Sequence, residues 1–171
     1  MKKMMMTAAL MLMGTVAMNA RSNASALFGN GVGINVGYSG FNENAGFGVH
    51  GRINLTEGFR IEPTFNYYFK KDEQSQWDIM ANFHYVFPVA GKIGLYPLVG
   101  IGVASYKYSD VKDSESKTGF SMNFGGGIEF PVSSDFSLGF ELKGQYIGID
   151  HWLPENDNVK FVPTFKATYI F

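Results

Sequence analysis

The residues best suited to chemistry are charged side chains at alternate positions within otherwise apolar segments. Seven of them are predicted to face one shared interior: Arg52, Arg60, Lys143, Lys166, Glu62, Glu129 and Glu141. Charges confined together must pair, because an unpaired buried charge costs several kcal/mol. Counting positions along neighbouring segments predicts Arg52 near Glu62 and Glu141 near Lys166. Such a network either stabilises a filled interior or acts as a gate whose ion pairs exchange.

Other motifs give weaker signals. The glycines of residues 46–51 match G-x-G-x-x-G, but no helix pattern follows, so no nucleotide site is predicted. His50, His84 and His151 lie far apart without metal-ligand spacing, and the chain has no Cys, so no metal site or cofactor is predicted. Among loop residues, Ser109, Asp150 and His151 are too common as types to indicate catalysis. We therefore predict that the protein is not an enzyme.

The elements that position these residues are strands, since apolar and polar residues alternate with a period of two. In the last segment Phe161, Phe165 and Tyr169 share one face, while lysine and threonine side chains share the other. Eight such segments are recognised, at residues 31–38, 46–55, 59–69, 77–87, 95–104, 120–130, 136–146 and 160–171. Their lengths suit tilted strands that cross a bilayer. The sequence therefore predicts an all-β, closed, antiparallel, eight-stranded up-and-down transmembrane β-barrel.

The connections differ in character along the chain. Tight turns are predicted at residues 56–58, 88–92 and 131–135, and longer polar loops at 70–75, 107–118 and 148–159. The loop at 107–118 is expected to be mobile and exposed, and the first loop, 40–44, is short for its side. Trp152 and Leu153 either extend an aromatic belt or form a candidate contact patch. An even strand number places both termini on the short-turn side, which is expected to be periplasmic.

Composition predicts which face of the sheet meets lipid. The apolar face carries Phe, Tyr, Trp, Leu and Ile at nearly every position. This number of aromatic rings would not fit inside a barrel of eight strands. This disfavours the alternative of a soluble barrel such as a lipocalin. A mean hydropathy of −0.03 fits a barrel better than a helical membrane protein. A net charge of −1 makes nucleic acid a poor partner.

The N-terminus reads as an export signal. Lys2 and Lys3 precede an apolar run from Met4 to Ala17, followed by small residues. The run is shorter than the ~20 residues that a spanning helix needs. Residues 1–26 are predicted to be a cleaved signal peptide, with cleavage after Ala20, Ala24 or Ala26, and residues 27–171 to be the barrel.

The chain's closing residues carry a family resemblance. The last eight residues read Thr164-Phe165-Lys166-Ala167-Thr168-Tyr169-Ile170-Phe171, and with the signal and eight segments they resemble the OmpA transmembrane-domain and OmpX families. Tyr169 and Phe171 resemble the signal read by the barrel-assembly machinery, although Lys166 stands where that signal often has Gly. The resemblance implies an integral outer-membrane protein in contact with outer-membrane lipid.

Three functions are consistent with this prediction. The first is a structural or surface-interaction role, in which the loops contact an unknown extracellular ligand. The protein is expected to be monomeric, as small closed barrels tend to be. The second is a narrow or gated pore, and the third is a lipid-facing enzyme.

Overall fold

A computed structural model describes residues 27–71, 73–89, 93–109, 114–149 and 158–171 of the chain. The strands are β1 (Gly31–Ser39), β2 (Asn44–Asn54), β3 (Phe59–Lys71), β4 (Gln74–Tyr85), β5 (Phe87–Val89), β6 (Ile93–Ser109), β7 (Ser114–Pro131), β8 (Phe136–Gly148) and β9 (Val159–Ile170). Among these residues, no helix is long and apolar enough to cross a membrane.

Antiparallel pairing closes the sheet into a barrel. Each strand pairs with the next along the chain except β4, which pairs with β6, and β9 returns to β1. The short β5 continues β4 along the same neighbour, and the two are separated only by Val86, whose N–H donates to the Gly58 carbonyl at 2.7 Å. They count as one barrel strand, so the predicted closed eight-stranded architecture is confirmed.

The two faces of the barrel have opposite chemistry. Apolar side chains point outward, and Val99, Phe161 and Phe165 are each more than 60% exposed. The alternate positions point into the lumen, where Arg60 and Glu62 are fully buried. The predicted orientation is therefore confirmed, because this arrangement suits a surrounding lipid solvent.

We call the barrel end with connections 55–58 and 132–135 the turn rim, and the opposite end the loop rim. Both β1 and β9 meet the turn rim, where Gly31 pairs with Ile170. Several predicted connections differ in the structure. The predicted loop at 70–75 is largely strand, because β3 continues to Lys71, β4 begins at Gln74 and these two residues pair. Pro88 lies within β5 and pairs with Gly94, so it does not belong to a turn.

The larger difference is the β6–β7 hairpin at the loop rim. The predicted loop at 107–118 is mostly strand, because Tyr106 pairs with Lys117 and Tyr108 with Glu115. β6 and β7 have 17 and 18 residues, whereas no other strand exceeds 13. Pairing between β7 and β8 begins only at Phe120, so β7 extends beyond its pairing with β8, whereas β4 pairs with β6 as far as Tyr108.

Candidate functional site in the barrel lumen

The chain's own Leu27–Asn30 segment closes the lumen at the turn rim. Leu27 is 1% exposed, and its carbonyl accepts a hydrogen bond from Arg60 Nη2 at 3.1 Å. The Asn54 N–H donates to Asn30 Oδ1 at 2.8 Å, and the Phe171 N–H donates to the Asn30 carbonyl at 2.9 Å. Phe28 packs on a buried cluster made of Val86, Tyr96 and Leu98. This segment therefore belongs to the lumen filling.

Above this apolar layer, one carboxylate holds two guanidinium groups. Arg52 Nη1 lies 2.6 Å from Glu129 Oε1, and Arg60 Nη1 lies 2.8 Å from Glu129 Oε2. Arg60 also lies over the Tyr96 ring, 5.6 Å from its centroid. Arg52 thus contacts Glu129 and not Glu62, contrary to the pairing expected from counting positions. The staggered register of a tilted barrel shifts each contact along the axis.

The next layer is organised by Lys166. Its ammonium contacts Glu62 and lies 2.8 Å from Glu141 Oε1, the pairing expected from sequence. Lys143 Nζ lies 3.3 Å from the second oxygen of Glu141. Tyr96 donates its hydroxyl to Glu141 Oε1 at 3.0 Å. The Glu141 carboxylate is therefore satisfied by three different side chains.

Aromatic side chains fill the space around these ions. The His84 ring stacks on Tyr96 with centroids 4.7 Å apart, and His50 Nε2 lies 3.0 Å from Thr168 Oγ1. Tyr96 fits only because Gly127 faces it, since a Cβ at Gly127 would lie 2.5 Å from the ring. A glycine in the wall thus makes room for a large lumen side chain.

Towards the loop rim, neutral amides surround a buried carboxylate. Asp78 accepts hydrogen bonds from Asn66 Nδ2 at 2.7 Å and from Gln145 Nε2 at 3.1 Å. Gln76 donates to Gln145, and Ser39 donates to Gln76. The lumen then ends in a buried apolar cluster made of Phe41, Ala104, Tyr106, Ile147 and Ile149.

The formal charges of the described lumen balance. Its buried carboxylates are Glu62, Asp78, Glu129 and Glu141, and its buried cations are Arg52, Arg60, Lys143 and Lys166. Each of these side chains is at most 5% exposed. Such an interior is suited to holding the wall together.

The remaining predicted residues lie outside this network. Tyr169 and Phe171 are outward-facing at the turn rim, with ring centroids 6.5 Å apart. Trp152 and Leu153, like Asp150 and His151, lie outside the described residues. The G-x-G-x-x-G string lies within β2.

Sequence reasoning missed three parts of the site. Asp78 and Tyr96 occupy inward positions of the period-two pattern, but they are not among the predicted site residues. The proximity of Glu62, His84 and Glu141 had no sequence signal, because these residues come from three different strands. The inward position of Leu27 had no sequence signal either, since Leu27 precedes the first strand.

A closed barrel with an apolar exterior and a filled, charged lumen defines the class of small outer-membrane β-barrels. Residues 6–169 match the family model described as outer membrane protein beta-barrel domain. The chain therefore belongs to this family and is a protein of the bacterial outer membrane.

Several solved structures share the fold. The N-terminal β-barrel domain of Pseudomonas aeruginosa OprF is 17% identical, with a TM-score of 0.58 over 84% of this chain and 98% of that chain. Neisserial surface protein A is 14% identical, with a TM-score of 0.62 over 83% of this chain and 94% of that chain. Ail, the attachment invasion locus protein of Yersinia pestis, is 20% identical, with a TM-score of 0.54 over 84% of this chain and 97% of that chain. No curated protein sequence matches the chain significantly.

We expect strong energetic coupling between Glu141 and Lys166. Glu141→Ala or Lys166→Ala alone removes one of the charged partners of the other buried group, whereas the double variant removes both charges. The loss of unfolding free energy in the double variant should therefore fall short of the sum of the single losses by roughly 1–3 kcal/mol. Urea titrations in detergent or lipid, read by heat-modifiable gel mobility, measure each value.

The exposed pair Lys71–Glu43 is the matched control. Its Nζ–Oε2 distance is 3.2 Å, but the side chains are 42% and 71% exposed, so solvent screening limits its coupling to about 0–1 kcal/mol. Additive losses at Glu141 and Lys166 would contradict the buried network.

Proposed function

We propose that the protein is a monomeric, non-enzymatic surface protein whose barrel anchors extracellular loops that contact an external ligand. Its residues 1–26 direct export and are removed, and the barrel-assembly machinery inserts the mature chain with its termini in the periplasm. The loop rim then faces the cell exterior.

The observation that carries this proposal is the filled lumen. Apolar layers lie at both ends, around Leu27 at the turn rim and around Phe41 at the loop rim, with balanced ion pairs between them. Water-filled pores need a solvated path, which this packing opposes. The interior is thus occupied by side chains that stabilise the wall, and contacts with other molecules fall to the exterior.

The β6–β7 hairpin supports the same proposal. Its strand β7 extends past the pairing with β8, and each added residue lengthens a strand by about 3.4 Å. Lys107, Glu115 and Lys117 are exposed on it, so the surface it offers is polar and of mixed charge. Loops held by a rigid scaffold are common binding elements. Ail, a protein of this fold, is named for attachment and invasion.

Surface labelling tests the orientation. The chain has no Cys, so single cysteines introduce unique thiols. In Ser116→Cys the thiol stands on the exposed hairpin, and in Ser134→Cys it stands on the exposed turn rim. A membrane-impermeant maleimide should label Ser116→Cys in intact cells, and should label Ser134→Cys only after the outer membrane is permeabilised. The reverse pattern would overturn the orientation.

Conductance tests the closed lumen. Purified protein in planar bilayers should give no current steps above leak over recordings of minutes, because the described lumen side chains are packed and paired. A general porin inserted in the same bilayers is the positive control. Reproducible steps from the folded protein would favour the pore.

Loop trimming tests the binding role. Cells that produce the protein should adhere to at least one member of a panel of immobilised glycans and extracellular-matrix proteins. Replacing residues 107–118 and 149–159 with tight turns should abolish that adhesion, while heat-modifiable mobility shows that the barrel still folds. Adhesion that survives trimming, or a native chain that adheres to nothing on the panel, would count against the proposal.

A further inference from the structure

Three metal-type donors converge in the middle of the lumen. Glu62 on β3, His84 on β4 and Glu141 on β8 each place one ligand atom within 4.8 Å of the other two. All three side chains are buried, at no more than 2% exposure. Two carboxylates and one imidazole form a donor set that binds first-row transition metals.

Three atoms of these residues are buried without a hydrogen-bond partner among the described groups: both ring nitrogens of His84 and Oε2 of Glu62. His84 Nε2 lies 4.0 Å from Glu141 Oε1 and makes no hydrogen bond, and Glu62 Oε2 makes none. Stacking on Tyr96 fixes the His84 ring in this position. Buried polar atoms are normally satisfied, so this imidazole and this carboxylate oxygen retain unused capacity to bind a cation.

The Lys166 ammonium takes the place of a cation between the two carboxylates. It contacts Glu62 and lies 2.8 Å from Glu141. Because four carboxylates already balance four cations in the described lumen, a divalent ion in the native chain would leave two positive charges uncompensated. Without the Lys166 ammonium, the same ion would leave only one positive charge uncompensated. The tethered cation and a metal ion therefore exclude each other.

We infer that Glu62, His84 and Glu141 form a cation site whose resident cation is the Lys166 ammonium, and that the site takes a divalent first-row transition metal once that ammonium is removed. Metal–ligand bonds of about 2.0–2.2 Å require the three donors to close in by roughly an ångström. Carboxylate side chains have the freedom to do so. Zn²⁺ and Co²⁺ fit this donor set better than Ca²⁺ or Mg²⁺, which prefer oxygen ligands alone.

The experiment uses the full barrel refolded in detergent with Co²⁺ present, since the packed lumen restricts later entry. The folded Lys166→Ala variant should retain stoichiometric Co²⁺ after desalting and show visible d–d absorption. The native chain should retain none. If the variant folds poorly without metal, Co²⁺ or Zn²⁺ should raise its folded fraction, read by heat-modifiable mobility.

Two controls isolate the site. Lys143→Ala removes another lumen ammonium that contacts Glu141, but it leaves Lys166 in place and should retain no Co²⁺. Adding His84→Ala to Lys166→Ala should abolish both the absorption and the metal-dependent gain in folding. The inference is overturned if Lys166→Ala neither retains Co²⁺ nor folds better with it, or if the native chain or Lys143→Ala retains it equally. None of these outcomes depends on what the loops bind.

Discussion

The structure depends on one electrostatic constraint: a charge inside a closed barrel has little access to bulk water, so another side chain must neutralise it. Taking an ion out of water costs several kcal/mol, and only good pairing geometry offsets that cost. Glu129 satisfies this condition for Arg52 and Arg60 together, and Glu141 does so with two lysines. Each layer of the lumen is therefore tied to several strands at once.

The same constraint explains the distribution of side-chain size. Eight strands enclose a narrow space, so each large lumen side chain needs a small one in the facing wall. Gly127 lies beneath Tyr96, and Gly94 faces Leu27, where a Cβ would approach within 2.9 Å of Leu27 Cδ2. Most of the large aromatic residues lie on the outer surface, where lipid is the compatible solvent. Lumen packing and membrane insertion thus follow from one distribution of residues.

The period-two pattern was sufficient to predict the strand number, the closed barrel and the outward apolar face, because lipid and lumen impose opposite chemistry on alternate residues. It failed at Lys107–Thr118, because these residues are mostly polar and show little period-two alternation, although β6 pairs there with both β4 and β7. It also failed for Arg52, because the contacts across a lumen depend on the stagger of the strands. Leu27 and the Glu62–His84–Glu141 cluster depend on three-dimensional proximity alone, which local sequence spacing does not encode.

The closing strand β9 illustrates how one segment meets two sets of demands. Tyr169 and Phe171 face outward, where the proposed assembly signal must be accessible, while Lys166 on the opposite face enters the ion network. Lys166 therefore departs from the Gly often found in that signal without altering the outward face. Because its ammonium joins Glu62 on β3 to Glu141 on β8, the last strand completes the charge balance of the lumen as it closes the barrel against β1. Pairing across the lumen thus favours the closed barrel over a sheet opened between β9 and β1, in which Glu62 on β3 would be separated from the Lys166 ammonium.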